Sequence, residues 1–291
     1  MVKVEVERRI TKEIPVNVKY KGTVHKDYIA DKENIELDNP YVVISGPASA
    51  VDPITQAIVE VDLQDKNESF IESSRFTLCD AQGNPVDARK VEANIAEVSV
   101  TLYIKRVKEI KLVVEIIDGG GATEETSKIT IDPEVIKIAG NETALGDIEE
   151  ILLGTIDLGT LIRGSEMTFN INVPAGFENL SGKTTAKVKV EFPDLMTTSL
   201  TVTEFAALNV PEGLEVEFIT QELAVNVRGD KELVQKMTAE DVSVTVDFAN
   251  ATVGNYTLKA NIIMGDGFEE VGALKTYTVS ATVKEADAEK D

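Results

Sequence analysis

Tryptophan is absent from this sequence, and histidine and cysteine occur once each, as His25 and Cys79. A single cysteine excludes an intrachain disulfide, and one Cys with one His cannot supply the cluster that a zinc site needs. A Ser–His–Asp or Cys–His catalytic set would have to use His25. That residue stands between Val24 and Lys26 in a polar stretch and reads as solvated surface. Cys79 ends the run Phe76, Thr77, Leu78, Cys79, where a thiol behaves as a small buried hydrophobe. No apolar run approaches the ~18–20 residues of a membrane span, and no charged-then-apolar signal opens the chain. Either the protein is cytoplasmic or a targeting segment precedes this sequence. Aromatics make up only 5%, so Val, Ile, Leu and Ala must fill the core, and β-branched residues fit a pleated surface. Positive charge is scarce too: 29 Lys+Arg face 51 Asp+Glu, a net −22. Such a surface repels phosphate backbones and anionic lipid, which argues against nucleic acid and against flat adhesion to a membrane.

What the chain does have is a pattern seen three times. Gly46, Gly140 and Gly229 recur at intervals of 94 and 89 residues. Each follows an apolar strand, carrying Val42 and Ile44, Ile136 and Ile138, or Val225 and Val227. Each precedes an apolar pair three apart, Val51 and Ile54, Leu145 and Ile148, or Val234 and Met237, the spacing of one face of a short helix. Pro47, Asn141 and Asp230 stand where that helix starts. Each pattern closes on a strand ending in Asp and an apolar residue: Asp62 with Leu63, Asp157 with Leu158, Asp247 with Phe248. A unit of about 90 residues seen three times means tandem domains of one fold. The glycine supplies either positive φ or close backbone approach. The recurring Asp is expected to accept backbone N–H bonds at a strand end, not to act in catalysis.

The repeats are expected over 12–104, 105–192 and 193–284. They open on strands carrying Ile14, Val16, Val18 and Tyr20; Ile110, Leu112, Val114 and Ile116; or Leu200 and Val202. They end on strands that alternate cleanly, as in Val98, Val100 and Leu102, with one face buried and one wet. Residues 2–6 repeat the pattern of 98–102, so 1–11 is expected to be the last strand of a preceding repeat, and the chain to begin inside a longer protein. Residues 285–291 read as an acidic disordered tail. Linkers are nearly absent, which leads us to expect an elongated, semi-rigid rod. Gly119, Gly120 and Gly121 lack the Lys-Ser/Thr of a phosphate cradle and read as a flexible hairpin or loop tip. No Asp-x-Asp-x-Asp-Gly calcium loop occurs. The sequence thus assigns no catalytic residue, cofactor or metal.

The unit resembles the YbbR-like domain of bacterial cell-envelope proteins. The resemblance is carried by residues 40–51 (PYVVISGPASAV), Ile54, residues 59–63 (VEVDL), residues 81–86 (AQGNPV) and residues 12–16 (KEIPV). It is strong over 12–104, fair over 108–192, where Asn141 replaces the proline, and weaker over 198–284, where Asp247 and Phe248 replace Asp-Leu. It implies a mostly β fold of three tandem mixed β units, each with one short helix. It further implies one N-terminal membrane helix outside this sequence, several such units on the extracytoplasmic face, and a non-catalytic role. Proteins of this kind resemble regulators that bind a membrane diadenylate cyclase and tune cyclic di-AMP synthesis, which makes that cyclase the expected partner. The alternative is a passive cell-surface spacer or adhesin-type array. Carboxylate-based glycoside chemistry is disfavoured by the absence of an aromatic platform.

Overall fold

The computed structural model describes residues 7–286. The strand expected at 2–6 and residues 287–291 of the expected tail lie outside the described residues. Among the described residues the chain is mostly strand, with three α-helices: α1 (Ala48–Val51), α2 (Glu142–Gly146) and α3 (Lys231–Lys236). It forms two compact units. The first takes in the chain through Ile110 together with Ile136–Glu149 and Val173–Gly182; the second takes in Lys111–Val135, Glu150–Asn172 and the chain from Lys183 onward. Segments of the middle repeat are therefore divided between the two.

In the first unit, the strand Arg9–Lys21 changes partner halfway. Residues 9–15 run antiparallel to Tyr41–Pro47, and residues 16–21 run parallel to Gln56–Asp62. Pro15 stands at the change-over, where a missing N–H is tolerated. The Val16 N–H goes instead to the Pro40 carbonyl at 2.9 Å. The sheet continues through Phe70–Cys79 and Glu97–Leu102 to Glu36–Leu37 on one side, and through Tyr41–Pro47 to Glu92–Ala93 on the other. Val42, Ile44, Val51, Ile54, Val59, Val61, Val98, Val100 and Leu102 are all fully buried in one core. Each contributes about 1.5–3 kcal/mol of apolar burial. The opening strand runs unbroken from Arg9 to Lys21, across the boundary expected between residues 11 and 12.

In the second unit, residues 111–117 run parallel to Glu150–Asp157, and Thr185–Glu191 lies between Lys128–Asp132 and Ser165–Asn170. The third repeat breaks its opening strand in two. Leu195–Val202 pairs antiparallel with Leu223–Asp230, and Phe205–Leu208 pairs parallel with Val242–Asp247. Gly254–Met264, Tyr277–Glu285 and Leu214–Phe218 complete the second of these sheets. Its core gathers Val225, Val227, Val234, Val244, Val246, Phe248, Val279 and Val283. The last strand runs through Glu285, which pairs with Leu214, so the ordered chain reaches into the stretch expected as tail.

The helices are too short to form alone; each is held by what it buries. Val51, Leu145 and Val234 are the buried residues of α1, α2 and α3. Asn141 and Asp230 cap two of the N-termini through their side chains, whereas Pro47 provides no side-chain cap. The C-terminal ends of α1 and α2 meet a cation from the opening strand. Lys12 Nζ donates to Ile54 O at 2.6 Å, and Lys108 Nζ donates to Ile148 O at 2.6 Å. Those two carbonyls lie just past the helices; Lys12 Nζ also donates to Asp52 O, at the C-cap of α1, and Lys108 Nζ to Leu145 O, in α2, both at 3.3 Å, so each cation opposes the helix's negative end. Thr198, paired with Val227 as Lys12 is with Ile44, occupies the place in the third repeat, and there Lys236 sits in the last turn of α3 itself.

Candidate functional site

The two residues that could have carried nucleophilic chemistry lie apart from any such arrangement. His25 is exposed, with Nδ1 2.7 Å from its neighbour's carbonyl at Lys26. Cys79 is buried, and desolvation pushes its thiol up from the ordinary value. Among the described residues no group of three or more His, Cys, Asp or Glu is arranged to hold a metal, and no helix is long and apolar enough to cross a membrane.

The recurring carboxylates occupy equivalent turns. Asp62 Oδ1 accepts the Gln64 N–H at 2.9 Å, Asp157 Oδ1 accepts that of Gly159 at 2.8 Å, and Asp247 Oδ1 accepts that of Ala249 at 3.0 Å. Each bond turns the chain just after its strand. The following Leu63, Leu158 and Phe248 are buried. Asp247 also accepts from Asn209 Nδ2 at 3.0 Å, and this bond, with that from Ala249, holds its carboxyl below the usual range.

The recurring glycines have negative φ, so backbone approach is the reason that applies. A Cβ on Gly46 would lie 2.7 Å from Lys90 O, one on Gly140 would lie 2.4 Å from Phe177 Cδ1, and one on Gly229 would lie 2.8 Å from Val271 Cγ2. In each repeat a later segment crosses the strand at this point.

The most unusual polar group is Arg228, which the sequence did not single out. It is 1% exposed, and desolvation lowers it from the ordinary value to about 10, so it stays charged at neutral pH. Its guanidinium is satisfied by backbone carbonyls. Nε donates to Gly120 O (2.9 Å), Nη1 to Leu161 O (2.6 Å), and Nη2 to both Gly119 O (2.9 Å) and Leu158 O (2.8 Å). The Phe192 ring lies 4.0 Å from Cζ, a cation–π contact. Four of five donors are thus used in a fixed planar fork. The signal in the sequence was faint: a lone basic residue directly before a repeat glycine, where the other repeats have Ser45 and Ala139.

The three glycines, expected as a flexible hairpin or loop tip, do form a hairpin turn, but the socket holds it in place. Gly119 and Ala122 exchange backbone bonds of 3.0 and 3.2 Å, and Gly120 and Gly121 have φ of 57° and 68°. This is the tight hairpin turn that glycine permits. The turn is packed, not free, because a Cβ on Gly121 would fall 1.9 Å from Arg228 O. The loop also walls a cleft of about 760 Å³ that carries Asp118, Glu125, Asp194, Asp230, Glu269 and Glu270.

Residues 14–102, the first repeat with its glycine crossing and Asp turn, match the YbbR-like protein family. These residues are a YbbR-like domain. The whole chain is 22% identical, over 268 residues, to the "CdaA regulatory protein CdaR" of Bacillus subtilis (strain 168), covering 89% of this chain and 54% of that protein. It therefore spans about half the length of that relative. Among solved structures, domain IV of the YbbR family protein of Desulfitobacterium hafniense is 23% identical, with a TM-score of 0.24 over 29% of this chain and 84% of that one. A YbbR-like protein from Streptococcus pneumoniae TIGR4 is 15% identical, with a TM-score of 0.24 over 66% of this chain and 98% of that one.

Proposed function

We propose that this chain is three YbbR-like units, 12–104, 105–192 and 193–284, of a regulator that modulates a membrane diadenylate cyclase by protein–protein contact. On this reading the units lie on the extracytoplasmic face of a bacterial membrane, and the anchor belongs to a longer protein. The observation that carries the reading is the similarity to CdaR along 89% of the chain. A non-catalytic role is supported by the placing of the scarce reactive side chains, with His25 exposed on Lys26 O and Cys79 buried with a raised thiol. A net charge of −22 favours a basic contact surface on the partner and salt-dependent association.

The test is co-purification of the full-length protein with its cyclase from membranes, with and without residues 12–284. Retention that depends on these residues and weakens as salt rises is the expected result. Equal retention without them would remove the contact role from this segment.

A further inference from the structure

Arg228 and Gly229 are consecutive, and between them they hold opposite walls of the acidic cleft. Gly229 allows 270–271 to lie against the strand, since a Cβ there would be 3.0 Å from Glu270 O and 2.8 Å from Val271 Cγ2. Glu269 and Glu270 belong to that wall. Arg228 reaches the other way and takes the carbonyls of Gly119 and Gly120, in the loop that forms the facing wall. The two walls differ in how firmly they are fixed. The 270–271 wall leads straight into strand Gly272–Ala273 and the fully buried Leu274. The facing loop has three successive glycines, which pay the largest backbone entropy on ordering. The outer part of this loop is bonded to itself, through Thr123 N to Thr126 Oγ1 and Glu124 N to Asp118 Oδ1.

We propose that Arg228 is a latch: its seated guanidinium holds loop 118–126 in place, and withdrawing it releases that loop and opens the cleft while the rest of the unit stays folded. A charged donor placed on four carbonyls is a strong tether. Without it, Gly120 O and Leu161 O would lose this donor, while Gly119 O and Leu158 O would keep only the N–H groups of Ala122 and Leu161, which favours release of the loop into water. The 3-10 turn Leu158–Thr160 shares the tether, because Leu158 O and Leu161 O take the other two bonds. The Lys275 N–H on Gly159 O at 2.9 Å ties this turn to the third repeat as well. The backbones at the contact are close enough that a Cβ on Gly272 would fall 2.2 Å from Gly121 N. Gly272→Ala therefore displaces the same loop without touching the guanidinium.

The test is amide hydrogen exchange on the full chain, comparing wild type, Arg228→Met, Arg228→Lys and Gly272→Ala. Arg228→Met is expected to speed exchange at Gly119 and Ala122 by at least about a hundredfold, the loss of several charge-assisted bonds. Pairs within Val242–Asp247 and Gly254–Met264 should keep their protection. Arg228→Lys, with a compact ammonium in place of the fork, should fall between. A folded Arg228→Met with loop exchange unchanged would overturn the latch. If that variant fails to fold, Arg228→Lys decides: selective opening of Gly119 and Ala122 sustains the proposal, and unchanged exchange there overturns it, while Gly272→Ala, which leaves the guanidinium in place, shows the exchange of a loop displaced by a clash alone. Wild type in mild urea gives an independent reading. Gly119, Ala122 and Lys275 should open together below the global transition, and their opening only with global unfolding would contradict a latch.

Discussion

A methyl group is welcome at some glycines of this chain and excluded at others, and the difference can be measured. At Gly46 a Cβ would lie 2.7 Å from the Lys90 carbonyl, a backbone atom that cannot swing aside. At Gly146 it would meet nothing within 4 Å. Gly46→Ala is expected to destabilise by about 1–3 kcal/mol through overpacking, and Gly146→Ala to be neutral or stabilising by up to about 1 kcal/mol through the unfolded state. Urea denaturation of the two variants checks this, and equal effects would contradict the crossing. Cys79 offers a second check at this scale. A thiol 2% exposed and raised by burial should react with an aromatic disulfide only as the protein opens. Labelling in native buffer should accordingly be far slower than in denaturant, and equal rates would place the thiol at the surface.

Short helices in this chain depend on the strands beneath them. Lys12 and Lys108 donate to the carbonyls of Ile54 and Ile148, just past α1 and α2, so Lys12→Met and Lys108→Met should each cost about 1–2 kcal/mol. The matching Thr198→Val, where no such cation exists, should cost less; denaturation midpoints compare the three. A second dependence concerns the edge strand Glu36–Leu37. Asp38 Oδ1 accepts the Ser99 N–H at 2.9 Å, and this bond holds its carboxyl below the usual value. A lowered folded pKa gives stability that is present above the unfolded value, about 4, and lost as pH falls through the folded one. The stability gap between wild type and Asp38→Asn should therefore be full at pH 7 and shrink as pH falls below the unfolded value and through the folded one. Comparing the two proteins cancels the relief of general acidic repulsion, which affects both. A gap that widens on acidification would reverse the sign of the carboxylate's contribution.

At the scale of the whole molecule, the sequence was readable where chemistry follows period. Val98, Val100 and Leu102 alternate with polar residues, and all three are fully buried. The apolar pairs after each glycine mark the helices because a single turn must bury one face. Three kinds of information were hidden. The repeat of Lys12 at Lys108 was visible as spacing, but a cation's target is a carbonyl, and carbonyls leave no trace in residue identity. Arg228 was hidden for the same reason, since its partners are the backbones of Gly119, Gly120, Leu158 and Leu161. The division of the middle repeat between two compact units was also invisible, because period along a chain does not report which halves pack together. The break at 203–204 in the third opening strand follows no turn residue strong enough to have marked it.

The regulatory role is tested most directly by cellular cyclic di-AMP, measured in cells that carry the cyclase with either the full-length regulator or one lacking residues 12–284. A clear change in nucleotide level on removing these residues, with the cyclase present in equal amount, is the expected result. Identical levels would contradict a regulatory role for this chain and leave a passive array in its place.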